Sequence, residues 1–328
     1  MRKVSGFCSG FSRAAIVAVL ALFMTSVAVT PEAGAAGRAF PDSIQLPDGF
    51  VPEGITLDGS STTGYVGSLV GGAIQQIDVR TGESTPFAPP IGPGALAVGM
   101  ATDDYGRLWV AAGGPALTPD TVPGFRVYDT ETGDLLLDQQ LEAGFVNDVW
   151  ITGDAAWFTD SFSPNLIRIP IAVDGTIGSP QLVAMGGDWV QPSGFGANGI
   201  VATASQKHLI IAQATGPEPG TSALYLVPID NDADTIDATR IALDEPLLSG
   251  DGLVLNGRTL YVVGGPGVTK IKLGPSLTEG TIVDVLAVPD ALSPTTAAAF
   301  GSQLYVIDAK FPLLGIPTTP FQVTAISR

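Results

Sequence analysis

The chain has 328 residues, a formal charge of −17 at neutral pH, and 14% charged against 45% apolar residues. A surface this acidic repels phosphate backbones and anionic headgroups, so nucleic acid is excluded as an expected partner. One cysteine and one histidine leave no room for a disulfide framework, a thiolate metal site or a mechanism that needs two histidines.

Arg2, Lys3 and Arg13 precede an apolar run from Ala14 to Val29, and Ala33-Gly34-Ala35 supplies an A-x-A cleavage pattern. Residues 1–35 are therefore expected to be a signal peptide, and residues 36–328 a single domain that is secreted or associated with the cell envelope. The alternative is an uncleaved N-terminal anchor. Nothing downstream is apolar for long enough to span a bilayer, so no stable membrane insertion of the mature chain is expected. Cys8 lies before the apolar run and would leave with it, so it does not read as a lipid-attachment cysteine.

From residue 43 onward the chain reads as an orphan strand, Ser43 to Leu46, followed by six similar segments. Each has a short apolar strand, a polar turn, a second strand of the Leu-Tyr-Val type, a Gly/Pro-rich loop and one or two further strands. The segments start near Glu53, Gly99, Asn147, Asn198, Asp251 and Thr296, at spacings of 46, 48, 51, 53 and 45 residues. A four-stranded antiparallel sheet with its turns takes about 40 to 50 residues, the size of one propeller blade. Asn256-Gly257, Thr81-Gly82 and Thr132-Gly133 fall where tight turns are needed, since Gly and Asn tolerate positive φ. The last segment is short, and the orphan strand would complete it and hide an open sheet edge. The fold expected is all-β: a six-bladed β-propeller with four-stranded blades, the last closed by the mature N-terminal strand.

The first strand of each blade lines the central channel, so equivalent ends of the six first strands form a ring. In this phase the ring reads Glu53, Gly99, Asn147, Asn198, Asp251 and Thr296. Two carboxylates and two amide oxygens, from Glu53, Asn147, Asn198 and Asp251, are donors that hard divalent cations prefer. Read singly, Asn198-Gly199 and Asp251-Gly252 are ordinary turn formers; their shared phase is what points to a metal. Asn147 and Asn198 are also expected to contact substrate, because an amide whose oxygen binds metal keeps its NH₂ donors.

Pro52-Glu53-Gly54, Val146-Asn147-Asp148, Ala197-Asn198-Gly199 and Gly250-Asp251-Gly252, in this order and at these separations, resemble the SMP-30/gluconolactonase/luciferin-regenerating propellers over essentially the whole mature chain. The resemblance implies that Glu53, Asn147, Asn198 and Asp251 bind calcium or another divalent metal, that Asp251 is also a general base, and that the reaction is hydrolysis of a lactone or related ester. The sequence departs from the sugar-lactonase branch, which commonly carries an arginine where Phe145 stands. That points to a small-molecule substrate less polar than a sugar lactone. The loops expected over the site, 113–124, 160–165, 214–222 and 310–320, are rich in Pro and Gly and carry Phe162, Phe311, Leu313 and Leu314. Phe145, Phe162 and Phe311 are accordingly candidate substrate-binding residues.

His208 begins a second strand at the opposite end and reads as a surface residue. Asp232, Asp234 and Asp237 lack the glycine and terminal glutamate of an EF-hand loop and read as a solvated turn. No Gly-rich phosphate loop and no nucleophile-elbow pattern are present. Two functions of different class remain: a metal-dependent lactonase or esterase, and a non-catalytic secreted propeller that binds a ligand or protein around a structural metal. A lyase or synthase on the same scaffold is a weaker third.

Overall fold

The computed structural model describes residues 40–328 apart from Gly59, Ser60, Thr118 and Pro266. The expected signal peptide, with Cys8, lies outside the described residues.

The first strand, β1 (Ser43–Leu46), is followed by the unit β2 (Pro52–Leu57), β3 (Thr63–Ser68), β4 (Ile74–Asp78) and β5 (Glu83–Ala88). The second unit is β6 (Met100–Thr102), β7 (Arg107–Ala111), β8 (Gly124–Asp129) and β9 (Leu135–Gln140). The third is β10 (Val146–Ile151), β11 (Ala155–Asp160), β12 (Asn165–Pro170) and β13 (Gln181–Gly187), and the fourth β14 (Ala197–Ala202), β15 (His208–Gln213), β16 (Ala223–Pro228) and β17 (Thr235–Arg240). A two-residue strand, β18 (Ala242–Leu243), leads into the fifth, β19 (Leu253–Asn256), β20 (Thr259–Gly264), β21 (Gly267–Leu273) and β22 (Glu279–Ala287). The last strands are β23 (Pro294–Phe300), β24 (Gln303–Asp308) and β25 (Phe321–Ser327). The one helical turn among the described residues is 3₁₀, Phe311–Leu313, and no helix there is long and apolar enough to cross a membrane.

Within each unit consecutive strands pair antiparallel, and β1 pairs antiparallel with β25, Ser43 opposite Thr324 and Leu46 opposite Phe321. The turns carry this pattern in their chemistry. Asp78 Oδ1 accepts the N–H groups of Arg80 and Thr81, and Asp129 Oδ1 those of Glu131 and Thr132. Gly82 and Gly133 then close the two turns at φ of +78° and +77°, a conformation that costs glycine little. The pattern has two irregularities: β18 pairs in parallel with β22 at the outer edge of the fifth unit, and β13 and β17, the outer strands of adjacent units, pair in parallel and join two units into one eight-stranded sheet. Gly186 and Gly187 permit the second, since a Cβ on Gly187 would overlap the Ala238 carbonyl.

The first strands touch in sequence, β2 with β6, β6 with β10, β10 with β14, β14 with β19, β19 with β23, and β23 with β2, so the ring of inner strands is closed. Burial follows the same geometry, because a sheet with two apolar faces must cover both. The apolar side chains gather in clusters between neighbouring units: Trp157 and Trp189 with Ile211 and Tyr225, Trp109 and Phe125 with Phe158, Ile44 and Val66 with Tyr305 and Phe321. The remaining seams are filled by Ile210 with Val262, Tyr65 with Leu108, and Tyr261 with Leu304.

Candidate functional site

The site is made by a backbone irregularity that every inner strand repeats. In β2, β10, β14 and β23 the pairing register jumps, between Pro52 and Ile55, Val146 and Val149, Ala197 and Ile200, and Pro294 and Ala297. The same two-against-one arrangement occurs in the other units. Val98 N donates to Ala111 O (2.9 Å) while Ala111 N donates to Gly99 O (2.8 Å), and Asp251 N and Gly252 O bracket Val263 in the same way, both at 2.9 Å. A bulge sets two consecutive residues against one partner and re-aims their side chains.

Bulge phase corrects the ring read from the sequence. The first bulge residues are Glu53, Val98, Asn147, Asn198, Asp251 and Thr295; the second are Gly54, Gly99, Asp148, Gly199, Gly252 and Thr296. Gly99 and Thr296 thus belong to the second set, and Val98 and Thr295 stand in phase with the four oxygen-bearing residues. Four of the second residues are glycine because the next strand leaves no space. A Cβ on Gly54 would overlap the Val98 carbonyl, and one on Gly199 the Asp251 carbonyl.

Glu53, Asn147, Asn198 and Asp251 line one chamber, together with Asp148, Met100, Thr296 and neighbouring backbone. Its free space is about 10 Å³, roughly what one water or one ion fills. Glu53, Asn147 and Asn198 are buried, Asp148 and Asp251 half-buried. The four carbonyl groups behind these side chains tie the ring together. Glu53 O accepts from Thr295 Oγ1 (2.8 Å), Asn147 O from Gly99 N (2.9 Å), Asn198 O from Thr159 Oγ1 (2.7 Å) and Asp251 O from Gly199 N (3.1 Å).

The electrostatics are one-sided. No lysine, arginine or histidine lines the chamber, which holds three carboxylates. Burial pushes Asp251 up to about 8, helped by the charge of Asp148 and opposed by a hydrogen bond from Asn198. Burial likewise pushes Asp148 up to about 7, against backbone N–H bonds from Val149 (2.8 Å) and Ile200 (3.2 Å). Glu53 is raised well above the carboxylate range, first by burial and then by Asp251 and Asp148. Such a set either keeps its protons or needs a cation. No cluster of three or more His, Cys, Asp or Glu side chains arranged to hold a metal occurs among the described residues; the fit of the chamber to a cation rests on a mixed set, in which amide oxygens complete what two carboxylates begin.

One amide is already oriented. Asn147 Nδ2 donates to Ser161 Oγ at 3.0 Å, so one of its N–H groups is committed inside the protein, which reduces the NH₂ capacity expected for substrate; Asn198 lies beside the Asp251 carboxylate.

Phe145 is a correction. It is 1% exposed, does not line the chamber, and packs in the core between the second and third units with its ring 5.3 Å from Phe195. Its amide N–H donates to Asp160 Oδ1 (2.9 Å) and its carbonyl accepts from Ser161 N (2.9 Å), so the segment is held with the ring in the seam. Phe162 and Phe311 also lie off the chamber wall, on loops at the same end, and are 39% and 37% exposed. Phe162 packs on Phe195 at 4.8 Å. The loops at that end expose further apolar side chains, Leu117, Val122, Val190, Leu314 and Ile316.

His208 begins β15, at the end away from the chamber. Asp232 and Asp234 lie in the turn before β17 and Asp237 within it, on the outer side of the fourth unit. Three contributors escaped sequence reasoning: Asp148, Ser161 and Asp160. Asp160 accepts the N–H groups of Gly144, Phe145 and Phe162 and the hydroxyl of Ser163. Asp308 repeats the device with Leu292, Ser293 and Lys310. The signal for Asp148 was that a carboxylate stands where four other repeats have glycine.

No family model matches the chain, and no curated protein matches it. Solved structures do. The major allergen Mala s 1 of Malassezia sympodialis superposes with a TM-score of 0.63 at 16% identity, over 88% of this chain and 96% of that one. Regucalcin from Agrobacterium tumefaciens, a calcium-binding protein, gives 0.57 at 17% identity over 88% and 96%. A luciferin-regenerating enzyme gives 0.55 at 14% identity over 86% and 93%. The fold is thus that of the all-β propeller proteins, and the resemblance read from the four motifs is met by SMP-30-type propellers at the level of fold.

Proposed function

We propose that this chain is an exported, metal-dependent hydrolase of a lactone or related ester, built as a six-bladed propeller whose last blade β1 completes. One observation carries the reading. Two carboxylates and two amides occupy the same bulge position in four of six inner strands and face a chamber the size of one ion, with no cationic side chain among them. Residues 1–35 serve as the export signal.

Glu53 and Asp251 would hold a divalent cation by charge, with Asn147 and Asn198 adding neutral oxygens; calcium suits so oxygen-rich a set. When bound, such an ion polarises a carbonyl oxygen and acidifies water beside it. Asp251 then accepts the proton of the attacking water and returns it to the alkoxide oxygen released as the acyl C–O bond breaks, while an N–H of Asn198 orients the substrate oxygen. Asp148, tied to β14 through Ile200 N, adds negative charge near Asp251 when it is ionised and so raises the affinity of Asp251 for that proton. The exposed Phe162, Phe311, Leu314 and Ile316 at the mouth favour a substrate with an apolar body.

The four carbonyls that tie neighbouring strands behind the donors favour a second reading, in which the ion only holds the ring and the propeller binds a ligand without chemistry. Hydrolysis of aliphatic, aromatic and sugar lactones, with and without calcium, separates the two. Calcium-dependent turnover of the apolar lactones that disappears in Asp251→Asn is expected. Stoichiometric calcium binding without turnover of any lactone would leave the structural reading.

A further inference from the structure

Asn147 is useful to a cation only through its oxygen, and an amide turned by 180° would present hydrogens instead. What settles its orientation lies outside the chamber. Ser161 is fully buried and follows β11; its carbonyl accepts Gly196 N (2.7 Å) and Gln191 Nε2 (3.0 Å), and its N–H donates to Phe145 O (2.9 Å). Its Oγ lies 2.7 Å from Ala197 O and 3.0 Å from Asn147 Nδ2. A hydroxyl has one hydrogen, and a carbonyl oxygen can only accept. The Ser161 hydrogen is therefore spent on Ala197, and only a lone pair is left for Asn147. The amide must turn its NH₂ to Ser161, because the reverse orientation would oppose two lone pairs in a buried place.

We infer that Ser161 is a positioning residue that locks the Asn147 amide with its oxygen available to a cation in the chamber; the inference rests on the metal reading above. The placement is specific. By strand register the residues equivalent to Ser161 in the other units are Leu69, Gly113, Ala214, Gly265 and Ala309, none with a hydroxyl. Glu53 and Asp251 have two like oxygens and need no such lock, and the carboxylate of Asp251 beside Asn198 draws that amide's NH₂ by charge. Asn147 alone among the four is oriented from behind.

The test uses the mature chain and Tb³⁺, an oxygen-seeking ion of calcium's size, read by luminescence titration and by lifetimes in H₂O and D₂O, which count coordinated waters. Ser161→Ala is expected to bind Tb³⁺ about 10- to 100-fold more weakly and to gain one coordinated water where the amide oxygen has turned away. In an Asn147→Asp background, whose carboxylate has no wrong face, the same Ser161→Ala change is expected to cost less than about threefold. Affinity and water count unchanged in Ser161→Ala, or an equal loss in both backgrounds, would overturn the inference while leaving the metal reading intact. Absence of Tb³⁺ binding by the unsubstituted protein, or binding indifferent to Glu53→Gln, would overturn both.

Discussion

The two ends of the central channel are made by the same six strands and share almost no chemistry. At one end the bulges present Glu53, Asn147, Asn198 and Asp251 to a space of about 10 Å³. Beyond them, where the ladders regain regular pairing, the channel widens to about 240 Å³ between Leu57, Val149, Trp150, Ile200, Leu253, Leu255 and Ala297. Ile55, Met100, Asp148 and Thr296 border both spaces and form the partition. A regular strand alternates its faces and can give the axis only every second residue; a bulge gives two neighbours in succession. The donors stand where the backbone leaves the ladder, and the apolar wall stands where it keeps to it.

The sharpest way to break this contrast is to fill a bulge. Gly54→Ala would drive a Cβ into the Val98 carbonyl, and we expect a loss of about 3 kcal/mol in chemical denaturation. Gly301 is the control, with φ +57° and nothing within 4 Å of a Cβ; Gly301→Ala should cost about 1 kcal/mol through backbone strain alone. Equal costs would mean that the inner strands are not locked at the bulges.

Removing a charge from the polar end comes next. Glu53→Gln keeps the shape and loses a carboxylate from a buried set, so calcium affinity measured by calorimetry should fall about 100-fold, which is roughly 2.7 kcal/mol. An unchanged affinity would place the ion elsewhere.

Proton linkage gives a smaller and graded effect. Asp148 and Asp251 are raised to about 7 and about 8, and Glu53 is raised with them, whereas unfolded carboxylates titrate near pH 4. Between those limits the metal-free folded state holds more protons than the unfolded state, so its stability falls as pH rises from about 4 to about 8. Calcium replaces the protons and removes the penalty. The increase in Tm produced by calcium should therefore be small at pH 5 and grow steadily to pH 8; an increment independent of pH would show that the ion does not meet these carboxylates.

Much of this was legible in the chain. The spacing of the repeats, the Asp-x-x-Thr-Gly turns ending at Gly82 and Gly133, and the four oxygen donors all lie on the surface of the sequence, because each follows from a local period or a local φ. Bulge phase does not. Counting from a constant repeat cannot say which of two consecutive residues turns inward, so Gly99 stood in for Val98, Thr296 for Thr295, and Asp148 was overlooked beside Asn147. Phe145 misled for a different reason: the resemblance placed it where the sugar-lactonase branch carries an arginine, while the hydrogen bonds of its backbone to Asp160 and Ser161 hold its ring in the seam. The parallel pairing of β13 with β17 joins strands from different repeats, which no within-repeat pattern records.

The mildest test belongs to the apolar end. Leu255 lies opposite Leu260 in β19 and borders the wider cavity, where it is half-buried. Its side chain packs at the edge of the seam around Ile210 and Val262 and opens to the cavity on its other side, so Leu255→Ser loses part of its contacts without creating a sealed void, and a cost of about 1 to 2 kcal/mol is expected. The substitution adds a hydroxyl on the far side of the Asp148 and Met100 partition from the four donors, so calcium affinity should stay within about twofold. A tenfold change would mean that the partition transmits what happens below it, and the two ends would then have to be treated as one site with a long apolar floor.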